Sequence, residues 1–400
     1  MDIEHSEIVI VGAGACGLMC AVQAGLLGKK VLVLEKNSRG GAKILISGGG
    51  RCNYTNLYTT VGNFVSENVQ FALSSLAQWT VDDTIAFFEA YGIVPQEKVH
   101  GQLFPQNNKA SDLLEGFERS CRHLGQELRC NAEVIALERS PGVGFSLNYL
   151  HHGVTRVIQC SKVVLASGGL PIRKIGATDF ALRTARSLSM DVCAVAPALV
   201  PLVITSKDAS WYESLSGNTV FSRVSIGKVS FEDNILFTHW GLSGPAILQI
   251  SSYWRPGQSI FIDLYPQGDF LELLQSERIT NGKRQLGTLL AGLYTRRFAD
   301  SLQTILPVST TLASLTGEEL RRIAFWFQRF EFKPAGDKGY EKAEVMRGGV
   351  STSGLNSKTL ESKTVLGLYF GGECVDITGW LGGFNFQWAW ASGFVIAQNL

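Results

Sequence analysis

The sequence predicts an α/β protein in which both ends of the chain build one domain and a second domain is inserted between them. Three observations support this. The N-terminal residues read as strand, glycine turn, helix and strand; from about residue 196 the pattern changes to alternating strands and then polar helices; and a strand, a glycine turn and a helix return after Lys363. Because the last segment repeats the pattern of the first, we expect both to share a domain.

The N-terminal segment is predicted to be a nucleotide-binding βαβ unit. Ile8–Val11 is a β-branched strand, residues 15–27 form a helix, and Gly12, Gly14 and Gly17 between them have the GxGxxG spacing. Gly12 permits the tight turn, Gly14 lets the backbone approach a pyrophosphate, and Gly17 lets the helix lie against the sheet. The N–H groups at the start of the helix are then available to phosphates.

Glu35 supports the same prediction, because it closes the second strand of the unit. A carboxylate at this position can accept hydrogen bonds from both hydroxyls of an adenosine ribose, and it disfavours a ribose 2′-phosphate. A GxGxxG spacing alone is weak evidence, since tight turns at strand ends use glycine anyway. The strand, the helix and Glu35 together predict dinucleotide binding.

The glycine-rich stretch that follows, residues 36–56, is predicted to be a binding loop. Glycines 48–50 remove side chains so that a flat ring or a phosphate can come close to the backbone. Lys43, Arg51 and Asn53 supply charge and amide donors. A flexible surface loop is the alternative, and the apolar residues within the stretch argue against it.

The remaining elements are predicted from periodicity. The first part of the chain, residues 1–195, should contain helices within 64–90 and a further helix that begins near Ser111, its predicted cap. These helices should be followed by a strand at 133–137, a hairpin at 144–159 and a buried strand that ends in the small residues 166–169. The insert, residues 196–339, should be rich in strands over 196–265 (219–231 and 259–264) and helical over 266–339 (270–275, 287–306 and 316–330).

The C-terminal part, residues 340–400, contains a predicted strand at 366–370, a glycine turn with Glu373, and a helix from Asn385. If the N–H groups at 382–385 point at a flavin ring, the positive end of the helix stabilises the negative charge of the reduced ring. Glu373 and Asp376 could accept hydrogen bonds from ribityl hydroxyls, but Asp376 could equally cap a turn. This part also contains three tryptophans that are predicted to pack in the core rather than to stack on a ligand: Trp380, Trp388 and Trp390.

The composition of the chain limits the classes of partner that we expect. Charged residues make up 18% of the chain and the formal net charge is +1, so we expect neither nucleic acid nor membrane as a partner. The apolar runs are too short for a bilayer and the acidic N-terminus lacks the features of a secretory signal, which predicts a soluble cytoplasmic protein. The eight cysteines form no CxxC pair, so no metal site is predicted, and Cys16 and Cys20 are interpreted as core thiols rather than a redox pair.

The chain resembles the bacterial BaiN-like and aminoacetone-oxidase-like FAD-binding flavoproteins, a family of NAD(P)/FAD-dependent oxidoreductases. The resemblance covers nearly the whole chain and rests on GAGACG (12–17), KILISGGGRCNYTN (43–56), GQLFP (101–105), FTHWGLSGPAILQISS (237–252) and SKTLESKTVLGLYFGGECVDITGWLGGFNFQWAWASG (357–393). It implies a two-part Rossmann-like FAD-binding domain with three layers and a parallel sheet, interrupted by a β-barrel-like and helical insert that serves as the substrate or cap domain.

The resemblance and the motifs together predict non-covalent FAD. Val134 is implied to contact the adenine through its backbone. The complete set of predicted cofactor-binding residues is Gly12, Gly14, Ala15, Gly17, Glu35, Lys36, Lys43, Ser47, Gly49, Gly50, Arg51, Asn53, Val134, Ala166, Ser167, Gly168, Gly372, Glu373, Asp376, Gly383, Phe384 and Asn385. The chain departs from its relatives at Ala42, where they usually carry Arg or Lys, and this departure is expected to weaken a pyrophosphate contact. At Glu341 and Met346 the relatives more commonly carry Arg and Thr, and these departures argue against transferring a substrate from better-studied members.

The leading functional hypothesis is an FAD-dependent oxidoreductase that moves hydride equivalents between a small organic substrate and flavin, with NAD(P)H or O2 as the other redox partner. A single GxGxxG unit leaves no dedicated NAD(P)H domain, so NAD(P)H would bind transiently. Members of the family are associated with amine oxidation and with reduction of conjugated rings, and the sequence does not select between them. The alternatives are a flavin-dependent tRNA-modifying protein, which the charge balance disfavours, and a non-catalytic nucleotide-binding module.

No catalytic residue is assigned from the sequence. His239 precedes a Gly-Leu-Ser-Gly-Pro turn and could exchange a proton at a pocket wall, although a histidine that bonds the loop backbone is the alternative. Tyr340, Arg347 and His100 flank glycine loops and are weaker candidates. The oligomeric state is left open.

Overall fold

The computed structural model describes residues 3–205 and 209–400, which fold as two compact units. The first unit contains the chain up to Ala196 together with Val345–Leu400, and the second is Pro197–Glu344. Both ends of the chain therefore lie in one unit. The second unit ends C-terminal to residue 339, where the sequence predicted the insert to end.

A five-stranded parallel sheet forms the centre of the first unit. In spatial order its strands are Leu368–Phe370, Lys162–Leu165, Ile8–Val11, Val31–Leu34 and Glu127–Arg129. The four strands other than the edge strand Glu127–Arg129 are apolar and almost wholly buried, as expected where helices and loops cover both faces of a parallel sheet. The strand near the C-terminus thus joins the same sheet as the N-terminal strand, with one strand between them.

Two helices from opposite ends of the chain pack closely in this unit, Ala15–Leu26 and Phe384–Asn399. A Cβ atom on Gly393 would lie 2.5 Å from the Cys16 carbonyl oxygen, so the helices touch backbone to backbone. Trp388 and Trp390 are buried and donate their indole N–H to the carbonyl oxygens of Gly372 and Tyr54. These two tryptophans are core residues, as predicted, while Trp380 is half-buried.

Smaller elements complete the first unit. A four-stranded sheet contains Ile3–His5, Val154–Cys160, Gly144–His151 and Ala132–Ser140, and a three-stranded sheet contains Thr55–Asn56, Gln102–Pro105 and Pro95–Glu97. Two-stranded pairs are formed by Phe64–Val65 with Thr378–Gly379 and by Val192–Ala198 with Val345–Val350. The other α-helices described in this unit are Ala42–Gly50, Ala72–Gln78, Val81–Glu89, Ala110–His123 and Phe180–Ser187.

Three local predictions for the first unit are corrected by the structure. Ser111 is not a cap: the helix begins at Ala110, and the Ser111 hydroxyl donates to Asp112. The stretch 64–90 is not helical throughout, because Phe64–Val65 pairs as a strand with a segment more than 300 residues away in the chain. The glycine loop contains the helix Ala42–Gly50, which breaks at residues 47–49 where Gly48 and Gly49 have left-handed backbone conformations.

The second unit is built on a seven-stranded antiparallel sheet. In spatial order its strands are Phe330–Phe332, Ile260–Asp263, Thr219–Ile226, Val229–Thr238, Gly241–Ser243, Leu202–Val203 and Gly336–Asp337. Its described α-helices are Ala209–Ser214, Pro245–Ser251, Phe270–Thr280, Leu286–Leu293, Arg296–Ser301 and Gly317–Gln328. The unit has its own apolar core, which includes Phe270, Phe298 and Phe327.

The predicted α/β class is confirmed, with a parallel sheet in one unit and an antiparallel sheet with helices in the other. The predicted division of the insert into a strand-rich half and a helical half is too simple. The strands Phe330–Phe332 and Gly336–Asp337 lie within the segment predicted to be helical, and both return to the edges of the antiparallel sheet. Their shortness, three and two residues, explains why no periodicity revealed them.

The backbone contact between the first and last helices gives a stability prediction. Gly393→Ala should lower the free energy of unfolding by about 1–3 kcal/mol, because the new methyl group overlaps the Cys16 carbonyl and the helices must separate. Gly62→Ala is the matched control: its Cβ would meet nothing closer than 3.5 Å, and we expect a change within about 0.5 kcal/mol. Urea unfolding measures both, and equal stability of the two variants would contradict the proposed close contact.

Candidate functional site

The candidate site lies where four strands of the parallel sheet end. Gly12, Glu35, Ala166 and Gly371 each follow one of these strands directly. The carboxyl ends of parallel strands meet at one edge of a sheet, which is where open α/β sheets bind ligands. The structure therefore brings the two predicted cofactor segments, one from each end of the chain, to the same edge.

The glycine turn has the geometry that its spacing predicted. Gly12 has φ +101°, and a Cβ atom there would lie 2.7 Å from the Ala166 carbonyl oxygen. A Cβ on Gly17 would come within 1.9 Å of the Gly12 carbonyl oxygen, so only glycine lets the helix approach the strand end. Gly14 differs, because its Cβ would meet nothing closer than 4.0 Å and would project into open space.

Glu35 is held in place by two backbone donors. The N–H groups of Ala13 and Asn37 donate to its two carboxylate oxygens at 2.8 and 2.9 Å, and the residue is only 7% exposed. The carboxylate is thereby fixed beside the glycine turn, and its other lone pairs are available to hydroxyl donors. Sequence reasoning missed the role of Ala13, although its place between two glycines of the motif was a usable signal.

The strand that contains Val134 begins beside Glu35. The N–H of Ala132 donates to the Glu35 carbonyl oxygen at 2.8 Å, and Lys36 lies 3.5 Å from the carboxylate of Glu133. Val134 itself is buried. These contacts place Lys36 and Val134 next to the ribose-binding carboxylate that the sequence predicted, although Lys36 is engaged with Glu133.

Lys43 and Glu373 form an ion pair that joins residues 330 positions apart. Glu373 also accepts a hydrogen bond from the N–H of Met346 at 3.1 Å, and a Cβ on Gly168 would lie 3.8 Å from its carboxylate. The departure at Met346 leaves this contact intact, because it uses the backbone. Lys43, Glu373 and the turn at 166–169 therefore lie close together, and their contact with a cofactor stays a prediction.

Asp376 acts as a turn cap in the structure. Its carboxylate accepts hydrogen bonds from the Glu67 N–H at 2.9 Å and the Ser66 hydroxyl at 3.3 Å, and it is buried. Glu67, Cys193 and Asp376 place possible metal-binding atoms within 4.8 Å of one another. Burial raises the pKa of Asp376 and raises that of Cys193 to about 12.

The start of the C-terminal helix lies against the glycine-rich loop. Gly383 has φ +101°, and a Cβ there would meet the Thr55 carbonyl oxygen at 2.4 Å and the side-chain oxygen of Asn53 at 2.8 Å. Asn385 closes the turn before the helix, since its side chain both accepts from the N–H and donates to the carbonyl of Gly379, each at 2.8 Å. The predicted residues Asn53, Gly383 and Asn385 are thus neighbours at this helix N-terminus.

The other predicted residues of the glycine-rich loop are less directly engaged. Ser47 donates to the Ile44 carbonyl oxygen, while Arg51 is exposed and donates to the Gly48 carbonyl oxygen. A Cβ on Gly49 would meet nothing within 4 Å, and one on Gly50 nothing within 3.8 Å, so these positions also border open space.

These observations fit a dinucleotide with a flat ring. Among the buried side-chain oxygen atoms of the described residues that lack a hydrogen-bond partner, two belong to predicted cofactor-binding residues, the hydroxyl of Ser167 and the side-chain oxygen of Asn53. The Ser167 hydroxyl lies in the turn after the strand Lys162–Leu165, and the Asn53 oxygen lies beside the start of the C-terminal helix. The open space beside Gly14 and Gly49 lets a ligand approach the backbone, and the ligand could satisfy both oxygen atoms.

The catalytic candidates are distributed over both units. His239 is exposed and its ring lies 4.0 Å from that of Trp240, and Tyr340 is half-buried; both belong to the second unit. Arg347 is half-buried on the strand Val345–Val350 of the first unit. His100 is exposed with φ +56°, an uncommon conformation for a residue other than glycine. Their roles stay predictions.

The family described as HI0933-like protein Rossmann domain has a family model that matches residues 6–399 of this chain. The chain belongs to the HI0933-like family. This membership makes it a flavoprotein of the FAD-dependent oxidoreductase class and confirms the resemblance to BaiN-like flavoproteins. It therefore disfavours the hypothesis of a module without redox chemistry.

Relatives of this HI0933-like protein carry two different names. Ribosomal RNA dihydrouridine synthase of Escherichia coli strain K12 is 38% identical over 401 residues, covering 100% of this chain and 98% of the relative. The 3-dehydro-bile acid delta(4,6)-reductase of Clostridium scindens is 27% identical, covering 98% of both. A structure of quinol-fumarate reductase with menaquinol molecules shares the fold, with a TM-score of 0.54 and 13% identity over 100% of this chain and 71% of that one.

The prediction that nucleic acid is not a partner is wrong. The relative that shares 38% identity over the full chain is named for an activity on ribosomal RNA. The net charge of +1 led to a wrong prediction because it averages over the whole surface, whereas RNA contacts need only a few local cations.

None of the helices in residues 3–205 and 209–400 combines the length and the apolar character that a membrane span requires.

The two cysteines of the first helix are buried, and burial raises the pKa of the Cys16 thiol to about 12 and that of Cys20 as well. Because the reactive thiolate is then scarce at pH 8, iodoacetamide should leave both unmodified in the native protein and modify both in urea, as peptide mass spectrometry would measure. Rapid modification of either thiol in the folded state would contradict their assignment to the core.

Glu35→Gln tests the carboxylate at the strand end. The amide retains one acceptor oxygen for two backbone N–H donors, so we expect FAD to bind at least about tenfold more weakly. Glu138→Gln, an exposed residue of the strand Ala132–Ser140, is the control and should retain the parent affinity. Fluorescence titration of the flavin-free protein with FAD measures both, and equal affinities for the two variants would exclude Glu35 from the site.

Proposed function

We propose that this HI0933-like protein is an FAD-dependent reductase that converts uridine in ribosomal RNA to dihydrouridine, with NADH or NADPH as the electron donor. The observation that carries the proposal is the 38% identity over the full chain to a ribosomal RNA dihydrouridine synthase. The bile acid reductase is also covered over nearly its full length but at 27% identity, which favours RNA over a steroid. With ribosomal RNA as the substrate, the cytoplasm is the proposed location.

The chemistry of this product favours the reductase direction. Dihydrouridine forms when the C5=C6 bond of uracil gains a hydride and a proton, so two electrons must enter from a donor. Uracil C6 is conjugated to the C4 carbonyl, so hydride addition there places negative charge on C5 and the C4 oxygen. Non-covalently bound FAD would relay the hydride from the nicotinamide to the base. Amine oxidation with O2 runs in the opposite direction and is therefore not proposed.

The residues at the sheet edge supply binding and orientation for this reaction. Glu35 and the glycine turn would hold the adenosine half of FAD, and Lys43 with Glu373 would hold the middle of the cofactor. The start of the C-terminal helix would face the ring, where its N–H groups favour the negatively charged reduced form. The second unit, Pro197–Glu344, is proposed as the substrate domain, and the proton donor to C5 is not assigned.

The proposal is tested with ribosomal RNA from a strain that lacks the gene for this protein. Flavin-loaded protein and NADH or NADPH are incubated anaerobically with the RNA, which is then digested and analysed for dihydrouridine by mass spectrometry. We expect dihydrouridine to form only when both donor and protein are present. A control with flavin-free protein should give none, because the hydride has no carrier to the base.

A second arm of the same experiment offers a conjugated 3-oxo steroid in place of RNA. Reduction of the steroid without formation of dihydrouridine would overturn the proposal and assign the protein to the activity class of the Clostridium scindens relative. Flavin that is not bleached by either nicotinamide would contradict the proposed electron donor.

A further inference from the structure

An exposed aromatic ring lies against the turn that begins at Lys98, near the start of the C-terminal helix. We call Tyr58, Lys98, Val99 and His100 the Tyr58 surface. Tyr58 is 63% exposed and Val99 68% exposed. A Cβ on Gly101 would lie 2.7 Å from a ring carbon of Tyr58, so the ring rests against the Gly101 backbone. The ring is thus supported by the protein and still accessible to a ligand.

Lys98 gives this surface a positive charge. The ammonium group of Lys98 lies 4.3 Å from the centroid of the Phe104 ring and donates a hydrogen bond to the Asn108 side chain at 2.8 Å. Within residues 3–205 and 209–400, Lys98 forms no ion pair. The exposed Lys109 follows Asn108 in the chain. The charge therefore suits an anion such as a phosphate.

One buried amide connects the Tyr58 surface to the candidate site. The Asn56 side chain, 1% exposed, accepts from the Tyr58 N–H at 2.9 Å and donates to the carbonyl oxygens of His100 at 3.0 Å and Gly382 at 2.8 Å. Gly382 immediately precedes Gly383, the N-cap of the C-terminal helix. Both turns of the surface are therefore held in a fixed position relative to the helix start that the proposed function assigns to the flavin ring.

The conformation of His100 is consistent with a binding role. Its φ of +56° is uncommon for a residue with a side chain, and such conformations concentrate at functional sites, where the surrounding contacts impose them. Here the hydrogen bond from Asn56 holds the His100 carbonyl, and Gly101 with φ +73° continues the turn. The turn presents Val99 and His100 to solvent next to the Tyr58 ring.

We infer that the Tyr58 surface binds a single-stranded segment of ribosomal RNA next to the uridine that is reduced. A base would stack on the Tyr58 ring, and Lys98 would contact a backbone phosphate. Exposed aromatic rings beside cations are the usual means by which proteins bind single strands, because every base has a face that can stack. This inference rests on the proposed function, since it names how the RNA reaches the flavin.

Binding of a fluorescein-labelled uridine 12-mer to the flavin-loaded protein tests the inference. Tyr58→Ala should weaken binding about 5- to 150-fold, because loss of base stacking on an aromatic ring has an effect of this size. Tyr58→Phe should stay close to the parent, since it keeps the ring. Lys98→Ala should reduce the steepness of the salt dependence by about 0.7 in a plot of log affinity against log salt.

Phe325→Ala is the matched control, because Phe325 is 64% exposed but lies on a helix of the second unit. It should bind the 12-mer like the parent, and the flavin absorbance of Tyr58→Ala checks that this variant is folded. Equal binding by Tyr58→Ala and the parent would overturn the inference. If the parent forms dihydrouridine in ribosomal RNA and Tyr58→Ala forms it equally fast, only the surface is wrong; if the parent forms none, the proposed function fails as well.

Discussion

The parallel pairing of Lys162–Leu165 with both Ile8–Val11 and Leu368–Phe370 is the interaction on which the rest of the structure depends. It joins strands from the two ends of the chain through one central strand. Because all three run in the same direction, the segments that follow them emerge at one edge. The glycine turn at Gly12, the turn at Ala166 and the turn at Gly371 become neighbours for this reason, although the chain separates them by hundreds of residues.

Close approach of backbones makes this edge compact. A side chain at Gly12, Gly17 or Gly393 would overlap a carbonyl oxygen, so these glycines are needed for packing, whatever ligand is bound. At Gly14 and Gly49 a side chain would instead extend into open space, and at Gly49 the left-handed backbone with φ +70° also favours glycine. The same residue type thus serves two purposes at this edge. Packing glycines bring the segments together, and the others leave room for a cofactor to reach the backbone.

Buried and half-buried polar side chains fix the distances between these segments. The Glu35 carboxylate joins the glycine turn to the next strand, and Lys43 with Glu373 joins the glycine-rich loop to the C-terminal part. The Asn56 amide does the same for the Tyr58 surface and the start of the C-terminal helix. A side chain that bonds two segments at once restricts their relative movement, which is the property required to hold a hydride donor and an acceptor in register.

The sequence alone determined the βαβ unit and the return of the chain to its first domain, because these depend on local glycine spacing and strand periodicity, and it predicted the residues of the candidate site on the same grounds. Only the tertiary structure decided that Phe64–Val65 is a strand, that Asp376 caps a turn and that Asn56 joins three segments. Each depends on a partner distant in the chain, and local patterns carry no information about such partners. Composition gave no indication of the proposed RNA partner for a related reason, since net charge records how many charges exist but not where folding places them.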